Sequence, residues 1–204
     1  MSSNSESRPP FRADHVGSFL RPKALLEARD QHKVGGITAA QLRVVEDDAI
    51  RDIVKFQEDL GLRSITDGEF RRYSFHTDFL VQLGGVVRTG RIAGKTTQAT
   101  KGKTELAPPV LQVEGPVRHI KPILRGDFEY VASITKQTPK ITMPSPTMLH
   151  FRGGRAGISS EAYPNLEQFY ADVAAAYAAE LRSLADAGCK YVQLDDTNLA
   201  YLCD

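Results

Sequence analysis

Between Thr38 and Gly61, apolar residues return at steps of three and four: Leu42, Val45, Ala49, Ile53, Phe56 and Leu60. That repeat predicts one face of an amphipathic helix. Thr38, with Gln41 three residues on, has the spacing of a capping box, and Gly61 supplies a left-handed stop. The same repeat comes back in Phe169, Val173, Ala176, Tyr177, Leu181 and Leu184, after Asn165 with Gln168 and before Gly188. Shorter apolar runs predict strands. Residues 13–19 run into a Gly17-Ser18 turn, and Ile65 leads into Asp67, Gly68 and Glu69. Lys140 to Pro146 is a strand whose two prolines forbid further ladder pairing, and Tyr191 to Leu194 reads as a buried strand ending at Asp195 and Asp196. The pattern is weak from about residue 71 to 139, which reads as a long irregular insertion. Within it, residues 88–103 carry five basic side chains, three glycines and no acid, the composition of a solvated loop. Residues 117–126 read as an extended segment broken by Pro122.

The order is strand, helix, strand, long excursion, strand, helix, strand. Such alternation predicts an α/β fold with a parallel sheet covered by helices, either an open doubly wound sheet or a (β/α)8 barrel. No GxGxxG or GxxxxGK[ST] occurs, which weakens a nucleotide-binding version. A barrel takes about 250 residues. This chain has 204 and, with the insertion after strand 2, room for only about four strands. It reads as a partial barrel over 12–204 behind a disordered tail over 1–11. Its unpaired sheet edges would invite a homo-oligomer or a missing C-terminal half.

Composition narrows the class. A formal net charge of +1 gives no case for nucleic acid or an acidic membrane surface. No apolar stretch reaches membrane-spanning length, and MSSNSESRPP has no secretory core. Two cysteines, Cys189 and Cys203, are too few for a disulfide framework. A cytoplasmic globular protein is the expectation.

In parallel α/β folds the working residues gather at the carboxyl ends of strands. The four ends here are His15-Val16-Gly17-Ser18, Asp67-Gly68-Glu69, Pro144-Ser145-Pro146-Thr147 and Asp195-Asp196. Each alone could be a helix cap or a turn former. Convergence of Glu69 and Asp195 on one mouth would suit an amino group, a metal or a proton-transfer task.

DHVGSFLRP, SITDGEFRR with Tyr73 and Phe75 close behind, IKPI, MPSPTMLHF and YVQLDD stand in one order and spacing. In these motifs the chain resembles the catalytic domain of cobalamin-independent methionine synthase, and more closely its shorter single-domain relatives, from about Arg12 to the last residue. The resemblance implies a zinc-dependent (β/α)8 barrel that moves a methyl group from a folate to the thiol of homocysteine. It implies that Val16, Gly17 and Ser18 match the turn that holds the amino acid, and that Glu69 and Asp195 match its two carboxylate contacts. Two carboxylates can grip an ammonium, while N–H groups and a hydroxyl at a Gly-Ser turn receive a carboxylate. His15 replaces a different residue and is a further candidate for recognition.

On the donor side the resemblance places Arg118 and His119 at an Arg-Cys pair, Phe151 at a pterin-stacking tryptophan and Tyr201 at a pterin-binding glutamate. These three departures count against methyltetrahydrofolate and leave another methyl or alkyl donor open. The family's zinc ligands are a His-x-Cys pair, a glutamate and a distant cysteine. No His-x-Cys occurs here, and His15, His32, His76, His119 and His150 are scattered, so no metal site is expected within the chain. The leading expectation is the amino-acid-binding half of a thiol methyltransferase of methionine biosynthesis, inactive alone, cut short by a truncated or split gene. A non-catalytic half-barrel serving as a binding or assembly module is the alternative. A uroporphyrinogen decarboxylase-like site using Arg71, Arg72 and Arg118 is a third.

Overall fold

The computed structural model describes residues 14–89 and 110–198. The expected tail over 1–11, most of the basic loop, Tyr201 and Cys203 lie outside the described residues. The elements are α1 (Lys23–Lys33), α2 (Ala39–Asp59), β1 (Ser64–Ile65), α3 (Thr77–Leu80), β2 (Gly84–Thr89), β3 (Val110–Arg118), α4 (Arg125–Ile134), β4 (Thr138–Pro139), β5 (Ile141–Pro144), α5 (Leu166–Asp186) and β6 (Val192–Asp195). Two short 3-10 turns, Pro146–Leu149 and Gly154–Gly157, follow β5. This is an α/β fold. The described strands pair as β1 with β4, β2 with β3 and β5 with β6, and among them no closed barrel forms. No described helix is long and apolar enough to cross a membrane.

The chain divides into two compact units, and the described part of the first comprises residues 14–72, 125–142 and 187–193. Its core gathers Leu25 of α1, Leu42, Ala49, Ile50 and Val54 of α2, Ile65 of β1, Phe70, and Val131 of α4. The capping box at Thr38 and Gln41 forms as the sequence predicts. The buried face of α2 is rotated from the predicted one, however. Phe56 and Leu60 are 50% and 63% exposed, whereas Glu46 and Gln57 turn inward. Gln57 explains the rotation: its Oε1 accepts from Thr66 N–H at 3.0 Å and its Nε2 donates to Thr66 C=O at 2.9 Å. The helix thereby satisfies the backbone just past the end of β1, where an open N–H or C=O would be costly.

β1 and β4 are parallel, Ser64 opposite Thr138. Lys140 between β4 and β5 donates its N–H to Ile65 C=O at 2.8 Å. Its side chain is 1% exposed, and the ammonium donates to Asp14 Oδ2 at 2.9 Å, to Gln193 Oε1 at 3.1 Å and to His15 C=O. An ammonium has three N–H donors, and all three are used. Asp14 in turn accepts from Ser64 Oγ at 2.6 Å and Tyr191 O–H at 2.7 Å. Burial raises the Asp14 carboxyl pKa, but these hydrogen bonds and the Lys140 charge outweigh it and hold the group at about 2.

The described part of the second unit comprises residues 73–89, 110–124, 143–186 and 194–198. Here the stretch read as an irregular insertion is ordered. β2 and β3 form an antiparallel pair with Val86 opposite Val113, and β3 packs on α5. Alternation was hidden in β3 by Gly115 and Pro116. The latter half of the same stretch supplies α4 and β4 to the first unit. Asn165 Oδ1 accepts from Glu167 N–H at 2.9 Å at the start of α5, while Gln168 bonds Asp172 and does not close a box. Phe169, Val173, Ala176, Tyr177 and Leu184 are buried as predicted, but Glu180 takes the inward place expected for Leu181. Glu180 accepts from Leu124 N–H at 2.7 Å, from Ile123 N–H at 3.0 Å and from His119 Nε2 at 2.6 Å.

These two buried networks carry stability in measurable ways. Asp14 has a depressed folded pKa, so its contribution is full above the unfolded value near 3.8 and is lost as pH falls through about 2. The stability gap between the wild type and Asp14→Asn should therefore be widest near neutrality, about 1–2 kcal/mol after screening, and close between pH 4 and 2. Urea unfolding at a series of pH values checks it. Glu180→Ala leaves buried donors open and should cost about 3 kcal/mol, whereas Glu180→Gln, which keeps an acceptor, should cost roughly half that in the same assay.

Candidate functional site

The Gly17-Ser18 turn is built by the first unit. Ser18 forms an isolated parallel bridge with Gly68, and Phe19 N–H donates to Gly68 C=O at 3.1 Å. Thr66 Oγ1 donates to Gly17 C=O at 2.6 Å. Gly17 has φ 107°, and a Cβ there would stand 2.6 Å from Thr142 Cγ2. Backbone conformation and space both demand glycine. The predicted strand before the turn is reduced to that single bridge. Val16 is exposed, and its C=O accepts from Gln193 Nε2 at 2.8 Å. His15 is pinned to the fold, its Nε2 donating to Ser64 C=O at 3.1 Å.

Glu69 sits beside this turn, and it is unusual. It is a non-glycine residue with φ 59°, directly after Gly68 at φ 67°. A left-handed conformation costs an L-residue roughly 1–2 kcal/mol. Three contacts hold it there. Asp67 Oδ1 accepts from Glu69 N–H at 2.8 Å, and Arg21 Nη2 donates to Glu69 C=O at 3.0 Å. Thr142 Oγ1 donates to Glu69 Oε1 at 2.8 Å. Arg72 stands behind both, its Nη1 donating to Thr142 Oγ1 at 3.1 Å and lying 3.6 Å from Glu69 Oε1. The carboxyl is thus buried yet oriented at the end of β1. Sequence reading singled out Glu69 and missed its supports, Arg21, Arg72 and Thr142. The position of Arg72 three residues after Glu69 was the available signal.

Two of the three arginines weighed for a polyanionic ligand, Arg71 and Arg72, are engaged in the fold. Arg71, almost fully buried, pairs with Asp47 and with Asp127 at 3.3 Å and lies 4.7 Å from the Tyr130 ring centroid. Arg72 Nη2 donates to Thr142 C=O at 2.7 Å. Burial raises the Asp127 and Glu46 carboxyl pKa values, against the opposing pull of these arginines.

The remaining candidates belong to the second unit. Asp195 closes β6, and its C=O accepts from Ser145 N–H at 3.1 Å. Leu194 beside it is 47% exposed, so the strand is less buried than predicted. Asp196 Oδ1 accepts from Thr147 Oγ1 at 3.0 Å and Ser145 Oγ at 3.1 Å. Phe151 ends the turn after β5, with its N–H donating to Thr147 C=O at 3.0 Å. Arg118 and His119 border an open cleft of about 680 Å³ beside Tyr163, Gln168 and Asp172. There the His119 ring is tethered by Glu180.

Among the described residues no three His, Cys, Asp or Glu side chains converge as a metal cage requires. Cys189 is half-buried, with a thiol pKa raised by burial. These donors do not fit the zinc that the resemblance implies.

Comparison with known proteins agrees with the family resemblance read from the motifs. The family model described as cobalamin-independent synthase, catalytic domain, matches residues 11–202. The uncharacterized protein YxjH of Bacillus subtilis (strain 168) is 40% identical over 95% of this chain and 50% of its own length. A methionine synthase of Sulfurisphaera tokodaii is 29% identical over 89% of this chain and 50% of its own. The chain therefore spans about half the length of these curated relatives. A crystal structure from Listeria monocytogenes, assigned as a vitamin-B12 independent methionine synthase, superposes with a TM-score of 0.77 at 39% identity, over 96% of this chain and 54% of that one. With nearly its whole length matched and its fold shared, the chain belongs to the cobalamin-independent methionine synthase catalytic-domain family.

Proposed function

We propose that this chain is the amino-acid-binding half of a (β/α)8 barrel that transfers a methyl or other alkyl group to a small thiol such as homocysteine. The observation that carries this reading is Glu69, a buried carboxyl in a left-handed conformation beside a Gly-Ser turn. Strain of that kind persists where the surroundings over-determine it, and it clusters at ligand sites.

In this reading Glu69 and Asp195 each supply a carboxylate contact to the ammonium of the amino acid. Its carboxylate is received at the Gly17-Ser18 turn by N–H groups and the Ser18 hydroxyl. Charge-assisted contacts at both ends fix the direction of the side chain and hence of the thiol. His15 serves the turn through the Ser64 carbonyl and need not touch the ligand. Arg118, His119 and Phe151 form the region of the donor, with Tyr201 as a further candidate outside the described residues. Replacement of the family's cysteine, tryptophan and glutamate there favours a donor other than methyltetrahydrofolate.

A thiol of pKa about 8.5 is mostly protonated at neutral pH, so the reaction needs an activating group. Zinc would supply that activation when bound elsewhere in the whole protein, by deprotonating a coordinated thiol. The described residues contribute binding and orientation. Location in the cytoplasm remains part of this proposal.

Calorimetric titration of homocysteine into the full-length protein tests the reading. Glu69→Ala and Asp195→Ala should each weaken binding at least about tenfold, the cost of one charge-assisted contact. Wild-type affinity in both variants overturns it. Thr142→Val removes the hydroxyl that orients Glu69 Oε1 and should weaken binding about threefold, with a stability loss of about 1 kcal/mol in urea unfolding. Unaltered affinity in that variant would show that Glu69 needs no such support.

A further inference from the structure

Asp195 and Asp196 are adjacent, yet their settings differ. The Asp196 carboxyl oxygen Oδ1 receives Ser145 Oγ at 3.1 Å and Thr147 Oγ1 at 3.0 Å. The two hydroxyl oxygens are themselves 2.7 Å apart, and Asn198 Nδ2 donates to Thr147 Oγ1 at 3.0 Å. Each hydroxyl carries one proton, so Ser145 can donate to Thr147 or to Asp196 but not fully to both. In either case the proton chain ends on Asp196. Ser145 and Asn198 are buried, which makes loss of that acceptor costly.

The network has a position as well as a strength. It joins the residues just past β6 to the 3-10 turn Pro146–Leu149, and Ser145 N–H to Asp195 C=O at 3.1 Å adds a backbone bond at the same place. Asp196 directly follows Asp195, the last residue of β6, so holding its side chain on the turn restrains the backbone that carries Asp195. Phe151 is tied to the same turn, through its N–H to Thr147 C=O at 3.0 Å.

We infer that Asp196 is a positioning residue: it latches the turn after β5 to the end of β6, and so sets the Asp195 carboxyl and the Phe151 ring as one body. The inference rests on the reading of Asp195 as an amino-acid contact and goes beyond it. It assigns a role to a carboxyl that would touch neither ligand, and it links the acceptor side to the donor side through Thr147.

The test uses homocysteine and the full-length protein, with affinity by calorimetry and melting temperature measured in parallel. Asp196→Ala should weaken homocysteine about tenfold and Thr147→Val about threefold, while Asp196→Asn, which retains the Oδ1 acceptor, should stay within about twofold of wild type. Rescue by asparagine supports positioning. Should Asp196→Ala fail to fold, Thr147→Val and Asp196→Asn carry the test alone. Lowered melting temperature with wild-type affinity in Thr147→Val and Asp196→Ala, alongside lost binding in Asp195→Ala, overturns the latch and leaves the amino-acid reading standing. Wild-type affinity in Asp195→Ala overturns both.

Discussion

One buried ammonium organises the first unit. Lys140 is removed from water, a position that costs several kcal/mol unless every N–H finds a partner. Its partners, the Asp14 carboxylate, the His15 carbonyl and the Gln193 amide, lie on chain segments far apart in sequence. They meet only when the N-terminal segment, the start of β5 and the start of β6 are assembled in one register. Two residues beyond Lys140 stands Thr142, within β5. Two residues beyond His15 stands Gly17, whose missing Cβ leaves room for the Thr142 methyl. A structural charge just before β5 thus stands two residues from the threonine whose methyl packs against the Gly17 turn.

The energetic logic at Glu69 runs the same way. A left-handed glutamate and a buried carboxyl are both unfavourable in isolation. Arg21, Asp67, Thr142 and Arg72 together offset those costs and hold the carboxyl in one orientation. A carboxyl oriented in advance loses little entropy on binding, which is how a small ligand with few contacts can be held well. Substituting a surface glutamate for this one would keep the charge and lose the advantage.

How much of this was legible in the sequence depended on the range of the interaction. The capping box at Thr38 and Gln41 and the stop at Gly61 are set by neighbours and were readable. So were the strand ends, where a turn glycine and a carboxylate announce themselves within four residues. The faces of the helices were not. A hydrophobic repeat assumes that inward positions are apolar, but Gln57 and Glu180 face inward to serve backbone groups of distant segments. Phe56 and Leu60 were displaced outward in consequence. α1 escaped because its start after Pro22 has no side-chain cap and its only buried residues are Leu25 and Arg29. α4 escaped because Pro122 drew attention to a break rather than to the helix beginning three residues later. The roles of Thr142 and Asp196 were closed to sequence reading, since each depends on contacts between residues separated by many positions.

A common rule links the two strand ends that carry acids. At the end of β1, Asp67 turns back to accept the Glu69 N–H, and Thr142 orients the Glu69 carboxyl. At the end of β6, Asp196 turns to the hydroxyls of the β5 turn, and Asp195 is the contact in the proposed reading. Each end divides its acids between one that shapes the turn and one that the turn aims. The division has a physical cause. A strand end is irregular backbone with unpaired N–H groups and hydroxyls nearby, and a short carboxylate satisfies them at little entropic cost. Only after that demand is met can a second carboxyl be held in a fixed direction without being drawn into the same turn. Paired acids at a strand end are therefore better read as a support and a contact than as two contacts, and local backbone demand identifies which is which.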